Sequence, residues 1–294
     1  MLEAAQLDLL PAPEIARTVP LQLEANGIRY ASYGDTQLAA PDLERIVQAV
    51  PKTIAAALHR KAYYFVPLVL EEGGESDFGP AKSSQVLIAR GSTAESSDRA
   101  VCHRNATCDG VECVFISTRL MQDRFALAFE FYINAGHHFV DAAGVPESFA
   151  DLVWAQAASN VRGETSQDAW EQRAKALGQS IDLLPEHSWS GQSTSSRRRP
   201  NAPATDVPQT GTLSAVTHAV DEKARTEYME AAFADSIAIY LLSMTVDFDY
   251  TELREREYPL LAPPALAERL RHIAQIFPAN AGHEFTIRYR RRNR

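Results

Sequence analysis

The segment Asp123-Arg-Phe-Ala-Leu-Ala-Phe-Glu-Phe-Tyr-Ile-Asn-Ala-Gly-His-His-Phe-Val-Asp141 sets Glu130, Asn134, His137 and Asp141 at i, i+4, i+7 and i+11. At about 100° per residue, these side chains share a helical sector roughly 60° wide. Carboxylate, amide and imidazole groups on one line offer acid–base partners, and oxygen and nitrogen ligands for zinc, iron or manganese. The rest of the circumference is apolar: Phe129, Phe131, Tyr132, Ile133, Ala135, Phe139 and Val140. A surface helix has a wide polar face and a narrower apolar stripe. Here the proportions are reversed. The pattern predicts a buried helix whose polar line faces a cleft; the same line also suits the narrow solvent-facing edge of a core helix, or a buried polar network that sets how two helices pack. His137 and His138 diverge by about 100° on a helix, so one solvent histidine and one core histidine are expected rather than two ligands of one ion.

A second helix, expected over 217–245, is apolar over most of its length apart from Glu227, Glu230 and Asp235. Packed against the first, it would bring Glu230 toward the stripe. His137, Asp141 and Glu230 would then be ligands of one divalent metal, zinc foremost, with Glu130 as general base on bound water.

Other elements must position these helices. Residues 1–40, with prolines at 11, 13 and 20, read as an irregular or partly helical lead-in. Pro41 opens a helix that Pro51 interrupts. Tyr63–Leu70 reads as a strand with Pro67 at an edge or bulge, and residues 85–89 and 112–117 as further strands. Residues 90–112 read as a polar loop, and 147–179 as helical. A Ser-, Pro- and Arg-rich insertion is expected over 186–214. Residues 215–294 continue the core, with a helix near 264–276, a strand over 284–289 and a basic tail. The fold class that follows is α+β, mainly helical with a small mixed or antiparallel sheet. Its core spans 41–185 and resumes after the insertion.

Composition narrows the function. The 294 residues carry a net charge of −9, which argues against general nucleic-acid binding. The arginines at 197–199 and 288–294 are local exceptions, read as solvated loop and tail charge. No run of apolar residues is long enough to span a membrane, and the first residues lack a basic signal-peptide region, so a cytoplasmic location is expected. Cys102, Cys108 and Cys113 cluster beside His103. Free thiols are favoured over a zinc site, whose C-x2-C knuckle is missing, and over a disulfide. There is no P-loop, no G-x-G-x-x-G and no G-x-S-x-G elbow.

The order of elements, with strand 112–117, then the striped helix, then a helix carrying Glu-Ala-Ala-Phe-Ala-Asp235, resembles the gluzincin-type zincin metallopeptidases over residues 111–141 and 226–246. There a strand precedes an H-E-x-x-H helix, and a downstream E-x-x-x-D helix supplies the third zinc ligand. Matching Glu130 to the family's catalytic glutamate makes Phe129 and Ile133 the ligand positions. Matching Asp235 to the family's aspartate makes Ala231 the third. The resemblance thus implies a metallopeptidase-like protein, either inactive or using a metal site displaced to His137, Asp141 and Glu230. The rival reading is a non-catalytic interaction or scaffold protein contacting a peptide or protein partner.

Overall fold

The computed structural model describes residues 8–72, 85–121, 123–179, 220–253 and 258–287, and these form an α+β fold. A mixed five-stranded sheet has the order β2-β3-β4-β9-β8, with β2 at Gln22–Leu23, β3 at Arg29–Ser32, β4 at Lys61–Val66, β9 at Val111–Ser117 and β8 at His103–Cys108. β3, β4 and β9 run parallel, and β2 and β8 flank them antiparallel. The central strand β4, Lys-Ala-Tyr-Tyr-Phe-Val, is apolar on both faces, as a strand covered on both sides must be. Its alternation divides two cores. Tyr63 and Phe65 enter the larger one, while Ala62, Tyr64 and Val66 enter a smaller one with Ala12 and Ile15. Ala12 and Ile15 belong to α1 (Ala12–Thr18).

β8 and β9 form a hairpin. Asp109 and Gly110 both have positive φ, 49° and 80°, the requirement of a two-residue type I′ turn. The Ser117 N–H donates to the Cys102 carbonyl at 2.8 Å, which sets the hydrogen-bonding phase of the ladder. Arg104, Ala106 and Cys108 therefore bond inward to β9, and the backbone groups of His103, Asn105 and Thr107 point to the open edge. Pro67 separates β4 from β5 (Leu68–Glu72), where the chain passes into a second sheet of order β1-β6-β5-β7. That sheet adds β1 (Leu9–Pro11), β6 (Gln85–Ala89) and β7 (Ala100–Val101), the last joined to β6 through the short α4 (Ala94–Ser97). Proline donates no hydrogen bond, and at this junction its carbonyl still accepts one from Arg119 N–H at 3.0 Å.

The larger core lies between the five-stranded sheet and the helices α2 (Ala40–Gln48), α3 (Lys52–Ala57), α5 (Arg124–Ala143), α6 (Glu147–Ala158), α7 (Gln167–Ala176), α8 (Glu222–Thr245) and α9 (Pro263–Ile276). α5 lies on the sheet through Phe131, whose ring meets Tyr63 edge-on at 5.1 Å and Phe65 at 5.6 Å. α8 crosses α5 at Gly136, where a Cβ would stand 2.6 Å from the Ala234 carbonyl oxygen. The two acidic helices of the sequence are thus in contact. Among the described residues, no helix is long and apolar enough to cross a membrane.

The far side of α8 is tied by a buried ionic cluster. Glu164, fully buried, lies between α6 and α7. It receives Arg269 Nη1 at 2.9 Å and Nη2 at 3.2 Å, Arg173 Nη1 at 3.4 Å and the Tyr228 hydroxyl. Arg269 Nε also donates to Gln156 at 2.8 Å. The preceding Gly163 has φ +78°, and a Cβ there would meet the Leu260 carbonyl oxygen at 2.1 Å. One carboxylate so joins the 159–166 connection, α7, α8 and α9.

Several sequence expectations give way. Residues 29–32 are a strand of the main sheet rather than part of an irregular lead-in, because the short Tyr-Ala pair is buried on both faces beside β4. The stretch 90–112 holds α4, β7 and β8 instead of a loop. Residues 147–179 form two helices, broken where Glu164 turns inward. Residues 284–287 form no strand. The 186–214 insertion and both arginine clusters lie outside the described residues.

Removing one member of a buried ion pair leaves the other charge unpaired, at a cost of about 3–5 kcal/mol. Arg269→Met should lower the unfolding free energy by roughly that amount in urea titration. A loss below about 1 kcal/mol would show that the cluster is not an essential tie.

Candidate functional site

α5 begins at Asp123, whose Oδ1 accepts the Ala126 N–H at 2.9 Å, and stops at Gly144, where φ is +73°. Ser117 and Thr118, which precede the helix in the chain, serve the sheet instead: Ser117 Oγ accepts from Val69 N–H at 2.8 Å, and Thr118 Oγ1 donates to the Thr36 carbonyl at 3.0 Å.

The polar line on α5 divides by direction. Its inner members meet the edge strand β8. Glu130 Oε1 lies 2.6 Å from His103 Nδ1, with the Glu130 side chain only 18% exposed and that of His103 41%. Asn134 Nδ2 donates to the Glu130 carbonyl at 2.8 Å and to Oε1 at 3.2 Å. His138 is buried, with Nδ1 3.2 Å from the Tyr63 hydroxyl and Nε2 3.4 Å from Asn105 Nδ2. His103 and Asn105 alternate along β8 and so share the face turned to α5. These contacts satisfy a neutral imidazole, and burial, reinforced by Lys61, His137 and His103, pulls the His138 pKa down to about 4.

The outer members point to solvent. His137 and Asp141 are exposed on α5, and Glu230 is exposed on α8. Among the described residues, no three His, Cys, Asp or Glu side chains stand together as a group that could hold a metal ion. Cys108 and Cys113 are buried free thiols, and Cys102 is exposed. Asp235 is buried in α8, accepts from Thr165 Oγ1 at 2.9 Å, and is pushed above the ordinary aspartate range by that burial.

Phe129 and Ile133, one turn apart on α5, are partly buried, and so is Ala231 on α8. Tyr132 meets Thr245, Gly136 meets Ala234 and Phe139 meets Phe233, so the two helices run antiparallel and Ala231 lies toward the Phe139 end of α5, away from Phe129 and Ile133. Phe129, Ile133 and Ala231 are the positions that the resemblance makes zinc ligands. Phenyl, butyl and methyl groups have no lone pair for a cation, so the residues present do not fit the metal that the family implies. What the arrangement offers is a hydrogen-bonded His103–Glu130 pair that ties α5 to β8, the terminal strand of the sheet among the described residues.

The sequence reading missed His103, Asn105 and Tyr63. The Asp109-Gly110 pair was the available signal: a two-residue hairpin there puts 103 and 105 on one face of a strand. No protein-family model matches the chain, and no curated protein or solved structure matches it either.

The lowered His138 pKa has a definite linkage consequence. Between the ordinary histidine pKa near 6.5 and about 4, the unfolded chain holds a proton that the folded chain lacks, so this group removes stability as pH falls through that window. The stability difference between the wild type and His138→Asn should change by roughly 3 kcal/mol across it, with the wild type losing ground toward acid. A pH-independent difference, or a His138 NMR titration midpoint near 6.5, would contradict the buried neutral ring.

Proposed function

We propose that this protein is a catalytically inactive relative of the gluzincin-type metallopeptidases, working as an interaction protein. The observation that carries the reading is that Phe129, Ile133 and Ala231, the ligand positions under the resemblance, are all apolar and partly buried. Glu130 survives at the base position, but its Oε1 is engaged by His103 and Asn134. A carboxylate that holds an edge strand in place has a structural task independent of catalysis.

The order of elements supports the same reading. A sheet with an antiparallel edge strand precedes α5, and α8 crosses α5 closely at Gly136. The alternative, a hydrolase whose displaced metal is held by His137, Asp141 and Glu230, needs three exposed side chains to gather around an ion.

Metal content of the purified protein by elemental mass spectrometry tests this directly. The wild type should carry no stoichiometric zinc, iron or manganese and should cleave no member of a fluorogenic peptide set. Stoichiometric metal in the wild type, lost in His137→Ala/Glu230→Ala, would overturn the inactive reading in favour of the displaced hydrolase.

A further inference from the structure

We infer that the cleft at the carboxyl ends of β3 and β9 binds a small monocarboxylic acid, its carboxylate paired with Arg119 and its apolar body laid on Leu38, Ile46 and Leu127. This goes beyond the proposed function and uses none of the residues on which that reading rests.

The backbone places the cleft. β3, β4 and β9 run the same way, with Ser32 paired to Phe65 and Val66 to Ser117, so the chain leaves all three strands at one edge of the sheet. In open sheets of this kind, ligands settle in the crevice outside those carboxyl ends. The crevice here has a volume of about 430 Å³, a usual size for a small-molecule site. Its walls are the loop from β3 to α2, the loop from β9 to α5, and Ser92, which follows β6. These loops are tied to the sheet and to one another. Thr118 N–H donates to the Val66 carbonyl at 2.8 Å, Thr118 Oγ1 to the Thr36 carbonyl at 3.0 Å, and Asp35 N–H to the Arg90 carbonyl at 3.0 Å. Gln37, on the wall, holds φ at 55°, in the left-handed region that side chains rarely adopt. Such strain gathers at ligand clamps.

Charge selects the ligand. Arg119, Arg124, Asp42 and Asp123 all line the cleft. Three of them are engaged: Arg124 pairs with Asp42, and Asp123 caps α5. Arg119 is short of acceptors. Its Nε donates to Ser92 Oγ at 3.1 Å, but Nη1 is buried with no hydrogen-bond partner among the described residues, and Asp35 Oδ2 stands 4.0 Å from it. Arginine keeps its proton in proteins, so the deficit cannot be relieved by neutralisation. A carboxylate brings two oxygens that match the guanidinium fork. A doubly charged phosphate would meet Asp35, Asp42 and Asp123 with twice the repulsion of a single charge. The rest of the lining is apolar, with Ile46 and Leu127 buried and Leu38 and Met121 partly so. A ligand body that covers this surface gains by removing it from water.

The test is calorimetric titration of the intact protein with acetate, hexanoate and phenylbutanoate, each beside its carboxamide, and with phenyl phosphate. Backbone NMR shifts locate the site. Affinity should rise from acetate to phenylbutanoate, and each carboxamide should bind about tenfold or more weakly than its acid. The shifts should centre on residues 36–39 and 118–121. Arg119→Gln should weaken phenylbutanoate about tenfold or more. Arg119→Lys should recover only part of that loss, since it restores the charge without the fork. Arg271→Ala on α9 should change nothing. The carboxamides leave the protein untouched, so a variant that merely misfolds cannot imitate the result. Four results would each overturn the inference: no saturable binding of any acid up to about 10 mM; an acid and its carboxamide bound alike; phenyl phosphate bound more tightly than phenylbutanoate; or shifts confined to another part of the molecule.

Discussion

The close crossing of α5 and α8 is the constraint on which the rest of the molecule depends. Helix axes normally lie 8–10 Å apart, a distance set by the side chains at the contact. Here Gly136 faces the Ala234 carbonyl with no room for a Cβ. Ala135, Gly136, Ala232 and Ala234 keep the contact thin, while Phe139, Phe149, Phe233 and Phe277 close around it as an aromatic cluster.

The Glu164 cluster does a different job. Glu164 and Arg269 are both fully withdrawn from water, and the desolvation of two such ions offsets most of their attraction. The cluster is best understood through geometry. Glu164 has one position from which it can reach Arg269, Arg173 and Tyr228, and that position fixes the N-terminal half of α8 relative to α7 and α9.

The polar line on α5 answers to two forces. Glu130, Asn134 and His138 are drawn inward because β8 presents His103 and Asn105, and an unpaired polar group there would cost about 1–3 kcal/mol. His137 and Asp141 lie on the same line but beyond the reach of β8, and water satisfies them. A single stripe in the sequence is thus both a buried network and a solvent-facing edge. Neither of the two simple readings of its periodicity describes it alone.

The helical period of 123–141, the two prolines flanking α2 and α3, and the apolar runs of β4 and β9 were enough to determine the α+β class and the buried character of α5 and α8, since these signals are local and repeat within a few residues. Local signals also placed Glu130, Asn134, His137 and Asp141 on one polar line. The partners of that line were decided by tertiary structure. His103 and Asn105 come from a strand that ordinary composition does not announce, because an edge strand is half polar and carries little periodic contrast. Tyr63 looked like core and is core, yet its hydroxyl meets His138. The inward turn of Glu164 depends on Arg269, more than a hundred positions away, and no pattern over a helix or a strand reports on so distant a neighbour. Spacing along the chain determines which side chains share a face. Which faces meet is decided only when the two cores close around the sheet, and with it whether a carboxylate finds a cation, a backbone amide or water.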